Sequence, residues 1–267
     1  MHHVAVPVTR AVPTGTTNAY LVGAERALLV DPPARHAELD AVVDAADVAH
    51  LAVTHTHPDH VGGVAHYAAE TDATVWARRG FADEFAAATG VAPDRTLAEG
   101  TAVDTDAGSI TVLDTPGHAR DHVAFELAVD GQDVVLCGDL AVAEGSVVVG
   151  APEGDMRAYL TGLRRLRARG PDRLCPGHGP AIDDPRATLD RLIAHRLARE
   201  ACVREAVEAG ARTLDEVVDA AYEKDVSDVR ELARATARAH LEKLAVEGDV
   251  AWDAAADRVT ETSSDGV

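Results

Sequence analysis

Residues 54–60 read THTHPDH, which puts His55, His57, Asp59 and His60 within one short segment. Three more metal-capable residues stand beside glycines further along: Pro116-Gly117-His118, Gly138-Asp139 and Pro176-Gly177-His178. Neutral imidazole and carboxylate are donors for zinc, and also for iron or manganese. Seven such donors are too many for one tetrahedral ion but enough for two ions with open positions, with Asp139 between them. Two divalent ions ~3.5–4 Å apart can share a hydroxide and keep it deprotonated at neutral pH, which provides a nucleophile without a catalytic serine or cysteine.

Each group of donors follows a predicted strand: HLAVT at 50–54, SITVLDT at 109–115, DVVLC at 133–137 and DRLC at 172–175. If these strands are neighbours in one layer, the donors meet on one rim. The adjacent glycines suit tight turns whose backbone leaves room for a ligand. Further strands are expected at 19–23, 27–31, 74–77 and 123–127. Helices are expected at 38–48, from 64 to 70, and at 156–169, where Met156, Tyr159, Leu160, Leu163 and Leu166 recur at helical spacing. Residues 81–109 read as a short helix followed by a turn-rich stretch. The alternation is that of an α/β fold.

After Pro185 the pattern becomes almost continuously helical. One helix is predicted at 187–209, stopped by Gly210. Thr213-Leu214-Asp215-Glu216 is a capping box that opens a second helix running through Tyr222. Ser227 is positioned to cap a third, ended by Gly248, and VAWD and DRVTE then form a strand pair. Three helices followed by two strands is the order of a winged helix. The expected division is therefore 1–184 and 185–267, with residues 263–267 a frayed end.

The chain carries 45 acidic and 25 basic residues, a net charge of −20, and its only lysines are Lys224 and Lys243. Acidic excess with almost no lysine suits a halophilic protein, where concentrated salt screens self-repulsion. In that setting acidity does not exclude a nucleic-acid partner. Cys137, Cys175 and Cys202 are odd in number and widely spaced, so no disulfide framework is expected and a reducing cytoplasm fits best. No apolar run approaches the ~18–20 residues of a membrane span, and the start, MHHVAVPVTR, lacks the apolar core of a signal peptide.

The succession His-x-His-x-Asp-His, Pro-Gly-His, Gly-Asp and Pro-Gly-His-Gly resembles the metallo-β-lactamase superfamily over roughly residues 3–184. The resemblance implies an αββα sandwich with a metal site at one edge. It implies that His55, His57 and His118 hold a first metal, that Asp59, His60 and His178 hold a second, and that Asp139 bridges them. Asp59 would also orient the nucleophile or pass its proton to the leaving group. Supporting roles behind the ligands are expected for Asp31 and His122. The remaining histidines read as structural or surface residues.

TPGHARDHVAFEL (115–127), GSVVVGAPEGDMRAYLTGLRRL (145–166) and the C-terminal part are similar to the beta-lactamase-like protein 2 family, which implies single-stranded RNA as a substrate. The competing expectation is a small ester or thioester, as in hydroxyacylglutathione hydrolases. A third is a DNA-binding regulator, because Arg230, Arg234 and Arg238 recur every four residues with Lys243 beyond. Against that, residues 185–267 have a net charge of −6 and show no basic enrichment. A solvated, acid-paired face is the favoured reading of the arginine row, with the C-terminal part covering the active-site rim or forming a homodimer contact.

Overall fold

The structure is a computed structural model that describes residues 1–9, 14–222 and 226–262. Lys224 and the predicted frayed end at 263–267 lie outside the described residues. The first sheet has six strands in sequence order: β1 (His2–Pro7), β2 (Thr16–Val22), β3 (Ala27–Val30), β4 (Val48–Ala52), β5 (Thr74–Arg78) and β6 (Arg95–Leu97). β1–β2 and β2–β3 pair antiparallel, and the pairs from β3 to β6 are parallel. The second sheet is ordered β11-β10-β9-β8-β7. Its strands are β7 (Ala102–Thr105), β8 (Gly108–Asp114), β9 (Val123–Val129), β10 (Gln132–Gly138) and β11 (Arg173–Pro176), and only β10–β11 is parallel.

Three sequence expectations change here. The four strands that precede the donors do not share one layer, because β4 is in the first sheet and β8, β10 and β11 are in the second. The stretch at 81–109 holds the two short strands β6 and β7 as well as its helix. β1 is not expected from the sequence. It is an edge strand with only Val4 and Val6 buried, too few to mark a core strand by pattern alone.

Side-chain alternation sorts the residues between the layers. Along β2, Tyr20 and Val22 face the second sheet, where Val112, Phe125 and Leu136 meet them. Ala19 and Leu21 point the other way. They pack beneath α1 (Ala37–Asp44), α3 (Val64–Thr71) and α4 (Ala82–Thr89), represented by Leu39, Tyr67 and Phe85. The one-turn α2 (Pro58–Val61) lies inside the THTHPDH loop. Val135 and Cys137 of β10 face α5 (Met156–Arg169), whose Tyr159, Leu160, Leu163 and Leu166 form the predicted stripe. The order helix, sheet, sheet, helix is the expected αββα sandwich.

The C-terminal region consists of α6 (Pro185–Glu208), α7 (Leu214–Ala221), α8 (Arg230–Glu247) and the hairpin β12 (Val250–Asp253) and β13 (Arg258–Glu261). The Thr213–Glu216 capping box is formed. α8 is preceded by a 3-10 turn at Ser227–Val229, so the third helix begins later than expected. Val203, Val207, Val217, Leu241 and Val259 form a separate apolar core there. The first half of α6 packs on α5 through Leu189 and Leu192.

Candidate metal centre

All seven donors predicted from the sequence converge at one edge of the sandwich, where the loops after β4, β8, β10 and β11 open. Ligand atoms of His55, His57 and His118 lie within 4.8 Å of one another, as do those of Asp59, His60 and His178, and those of His55, His60 and Asp139. The Asp139 carboxylate stands between the groups, 3.5 Å from His118 Nε2, 3.5 Å from His178 Nε2 and 3.6 Å from His60 Nε2. Two buried polar atoms here, His60 Nε2 and Asp139 Oδ1, have no hydrogen-bond partner. Such atoms are costly to bury unless something else engages them. A cation between them would do so, and the donors present therefore fit divalent metals.

The outward ring nitrogens support the same reading. His57 Nε2 meets Glu153 Oε1 at 3.0 Å, His60 Nδ1 meets Asp31 Oδ2 at 3.0 Å, and His118 Nδ1 meets the Val148 carbonyl at 2.6 Å. His178 Nδ1 meets the Thr16 carbonyl at 2.9 Å. Carbonyls and ionised carboxylates only accept, so each of these nitrogens donates. His55 Nδ1 lies 3.0 Å from Thr54 Oγ1, whose own proton goes to Asp31 at 2.7 Å, so His55 donates as well. In their neutral forms the five imidazoles thus carry the proton on the outside and turn a lone pair inward, which is the arrangement a metal ligand needs.

The buried charges of the site act strongly on one another. Burial, reinforced by the neighbouring imidazoles, holds His55 well below the usual histidine range. Burial also lowers His118. At His60 and His178 burial acts downward too, but the surrounding carboxylates outweigh it, raising His60 and pushing His178 up to about 10. Asp139 is held below the carboxylate range: burial would raise it, and the imidazoles around it prevail.

Asp31 sits in the left-handed region at φ 51° and accepts from Thr54 N at 2.6 Å as well as from the Thr54 hydroxyl and His60. His122 is fully buried and points its Nε2 at the backbone N–H of Asp139, from which it accepts at 3.0 Å, while Nδ1 meets Thr115 Oγ1 at 2.8 Å. Burial lowers its pKa to about 3, so the ring stays neutral and remains an acceptor. Two glycines make room for this packing. A Cβ at Gly138 would stand 2.7 Å from His122 Nε2 and Thr54 Oγ1, and one at Gly177 would stand 2.6 Å from Asp139 Oδ1.

Sequence reasoning did not single out Thr54, Asp121, Val148 or Glu153. Asp121 is buried, which raises its pKa, and it accepts from Thr56 N at 2.9 Å, holding the THTHPDH loop. Glu153 had one available signal, its place in the APEGD segment of the family-like stretch. The Val148 carbonyl had none, since any residue supplies one. Val148 and Glu153 border a cleft of about 960 Å³ that opens over His57, Asp59, His118, Asp139 and His178, with residues 142–148 as one wall.

Comparison with known proteins agrees with this geometry. Residues 12–178 match the family model described as the metallo-beta-lactamase superfamily. The chain is 29% identical to a beta-lactamase-like protein 2 homolog of Caenorhabditis elegans, over 69% of this chain and 63% of that protein. It is 29% identical to the homolog of the same name from Drosophila melanogaster, over 90% and 86%. The thioesterase pkgB of Emericella nidulans is 29% identical over 69% of this chain and 52% of its own length. Among solved structures, a metallo-beta-lactamase family protein from Thermus thermophilus superposes with a TM-score of 0.75 at 25% identity, covering 97% of this chain and 98% of that one. A sandwich whose four edge loops gather five imidazoles and two carboxylates, together with a family match over most of its length, makes this chain a member of the metallo-β-lactamase superfamily of hydrolases.

Proposed function

We propose that the protein is a dinuclear metal-dependent hydrolase acting on a small ester or thioester. Zinc is the preferred metal, and the same donors accept iron or manganese. The observation that carries this reading is the set of five outward-pinned imidazoles around Asp139. His55, His57 and His118 would hold one ion, Asp59, His60 and His178 the other, and Asp139 would contact both. A pair of divalent cations supplies Lewis acidity toward a substrate oxygen and brings the pKa of water into the neutral range. Burial acts to raise the pKa of Asp59, but its contacts with His178, His60 and backbone N–H together outweigh that and hold the carboxyl below the usual range, so it stays ionised. Asp59 is therefore an acceptor that orients the attacking water through its carboxylate oxygen and takes up its proton. Asp31 and His122 act through others, Asp31 on His60 and His122 on the Asp139 backbone.

The cleft wall favours the small substrate. Among its described lining residues there is no lysine or arginine, while Glu144 and Glu153 add negative charge and Pro58, Val142, Val147 and Pro180 add apolar surface. Among the described lining residues a polyanion would find no lysine or arginine for its phosphates. The row Arg230, Arg234 and Arg238 is also neutralised: Arg230 pairs with Asp215 and Asp219, Arg234 with Asp215, and Arg238 with Glu242. Residues 185–267 then read as a winged-helix-like domain that braces the site rather than one that reads nucleic acid. A relative named as a thioesterase adds weight to the thioester.

The test is a hydrolysis panel of aryl esters, acyl thioesters and single-stranded RNA oligomers, run with metal analysis on wild type, His57→Ala and Asp139→Ala. Ester or thioester turnover should fall at least about a thousandfold in both variants while their circular dichroism stays native. Near-wild-type turnover in both would overturn the site. RNA cleavage without ester turnover would overturn the substrate class.

A further inference from the structure

Arg196 and Arg199 of α6 have no carboxylate partner among the described residues, although the chain has a net charge of −20 and other arginines, such as Arg167 with Asp190, are paired. Arg196 is only 4% exposed, donates to the Val147 carbonyl and leaves its Nε without a hydrogen-bond partner. Arg199 donates to the Ala221 carbonyl and lies 4.0 Å from the centroid of the Tyr222 ring. Carbonyls orient a guanidinium but do not neutralise it, and a desolvated cation without a counter-ion is unfavourable. The adjacent His195 responds to the same positive field: its pKa is lowered, by burial first and then by these arginines.

Arg196 and Arg199 line a cavity of about 220 Å³ between α6, α8 and the 146–148 segment, with Val148, Val229 and Leu232 as apolar wall. Val148, Val229 and Leu232 are 41%, 50% and 43% exposed, a high value for such side chains gathered at one cavity. We propose that this cavity is an anion subsite for a small organic acid, with its carboxylate on Arg196 and Arg199 and its apolar body on Val148, Val229 and Leu232. A planar two-oxygen group matches the guanidinium fork, and a small apolar cavity with a few convergent polar groups is the usual form of a ligand site. Ser146, Val147 and Val148 line both this cavity and the metal-centre cleft. The acid is therefore either the far end of the substrate or a separate ligand bound behind the wall.

Calorimetric titration of the full-length protein with 4-phenylbutyrate, in low-chloride buffer beside 4-phenylbutanol, tests the subsite without reference to catalysis. Saturable binding of the acid is expected, weakened at least about tenfold by Arg199→Met and by Arg196→Met, with no binding of the alcohol. Arg199 is only half-buried, so its variant keeps the test alive if Arg196→Met does not fold. Absence of binding, equal binding of the alcohol, or acid binding unchanged in Arg199→Met would overturn the proposal, the last because it would put the acid on the metals. With a neutral aryl ester as substrate, competitive inhibition abolished by Arg199→Met identifies the substrate's far end. Non-competitive inhibition or activation abolished by the same variant identifies a separate ligand.

Discussion

The Nδ1 of His118 reaches the carbonyl oxygen of Val148 at 2.6 Å, and the loop that carries Val148 is fastened to the C-terminal helices. Arg191 of α6 donates to the carbonyls of Val142, Ala143 and Gly145 at 3.0, 2.9 and 2.6 Å. Arg196 holds Val147, and the backbone of Ala151 bonds to Ala235 of α8 at 3.0 Å. The helices therefore reach a candidate ligand through one loop.

Arg191→Met removes three charge-assisted hydrogen bonds from that loop. Arg191 is exposed, so the fold should persist. Metal affinity is expected to fall about tenfold, in the range seen when outer partners of ligands are lost, as read by competition with a chromogenic chelator. Unchanged affinity would show that the loop holds His118 without α6.

Asp31 supports His60 and Thr54 together. Asp31→Asn can keep the left-handed backbone, which asparagine tolerates, but loses a charged acceptor, so metal affinity should drop about 10–100-fold. Asp31→Ala also leaves the buried Thr54 N–H unpaired and should cost a further 1–3 kcal/mol, roughly, in urea unfolding. Equal stability of the two variants would contradict the role of that N–H.

Lys243 and Glu200 are each 6% exposed and meet at 2.8 Å, and Lys243 also donates to Glu247 at 2.6 Å. Burial would raise the Glu200 pKa, but the nearby His240 ring at 3.5 Å and the Lys243 hydrogen bond hold it below the usual range. Burial would lower Lys243, and the two carboxylates raise it instead. The Glu200 contribution is therefore full above its unfolded pKa and lost as pH falls through its depressed folded value. The Lys243 contribution is lost only as pH rises through its raised folded value. Lys243→Met should destabilise by about 3 kcal/mol at neutral pH, because it leaves the buried Glu200 carboxylate with only the longer Arg204 ion pair at 3.9 Å. The gap from wild type should narrow on acidification, since the stranded Glu200 takes up its proton earlier than the paired one. Urea titrations between about pH 4 and 8 would reveal a constant gap if the pair were not electrostatic.

With a net charge of −20, stability should rise with salt and level off once the screening length is a few ångströms, near 1 M. Thermal melts from about 0.1 to 2 M KCl and choline chloride should agree with each other if screening is the cause. A melting point independent of salt would remove the halophilic reading.

The seven donors were legible because each stands directly after a strand or beside a glycine, and adjacency along the chain survives folding. α5 was legible in full, from Met156 to Arg169, since its stripe repeats at the helical period and Gly170 ends it. The Thr213–Glu216 cap is equally local. Local pattern cannot tell which sheet a strand joins, so it puts β4 and β10 in one layer when they belong to two. Nor can it find the groups that fix the imidazoles. Glu153, Val148 and Thr16 meet His57, His118 and His178 across 96, 30 and 162 positions of chain. The sequence by itself determined which atoms are available to bind a metal. Tertiary structure alone decided which way those atoms face, because a ring is oriented by its outer hydrogen bond and the partner for that bond arrives only when distant segments pack together.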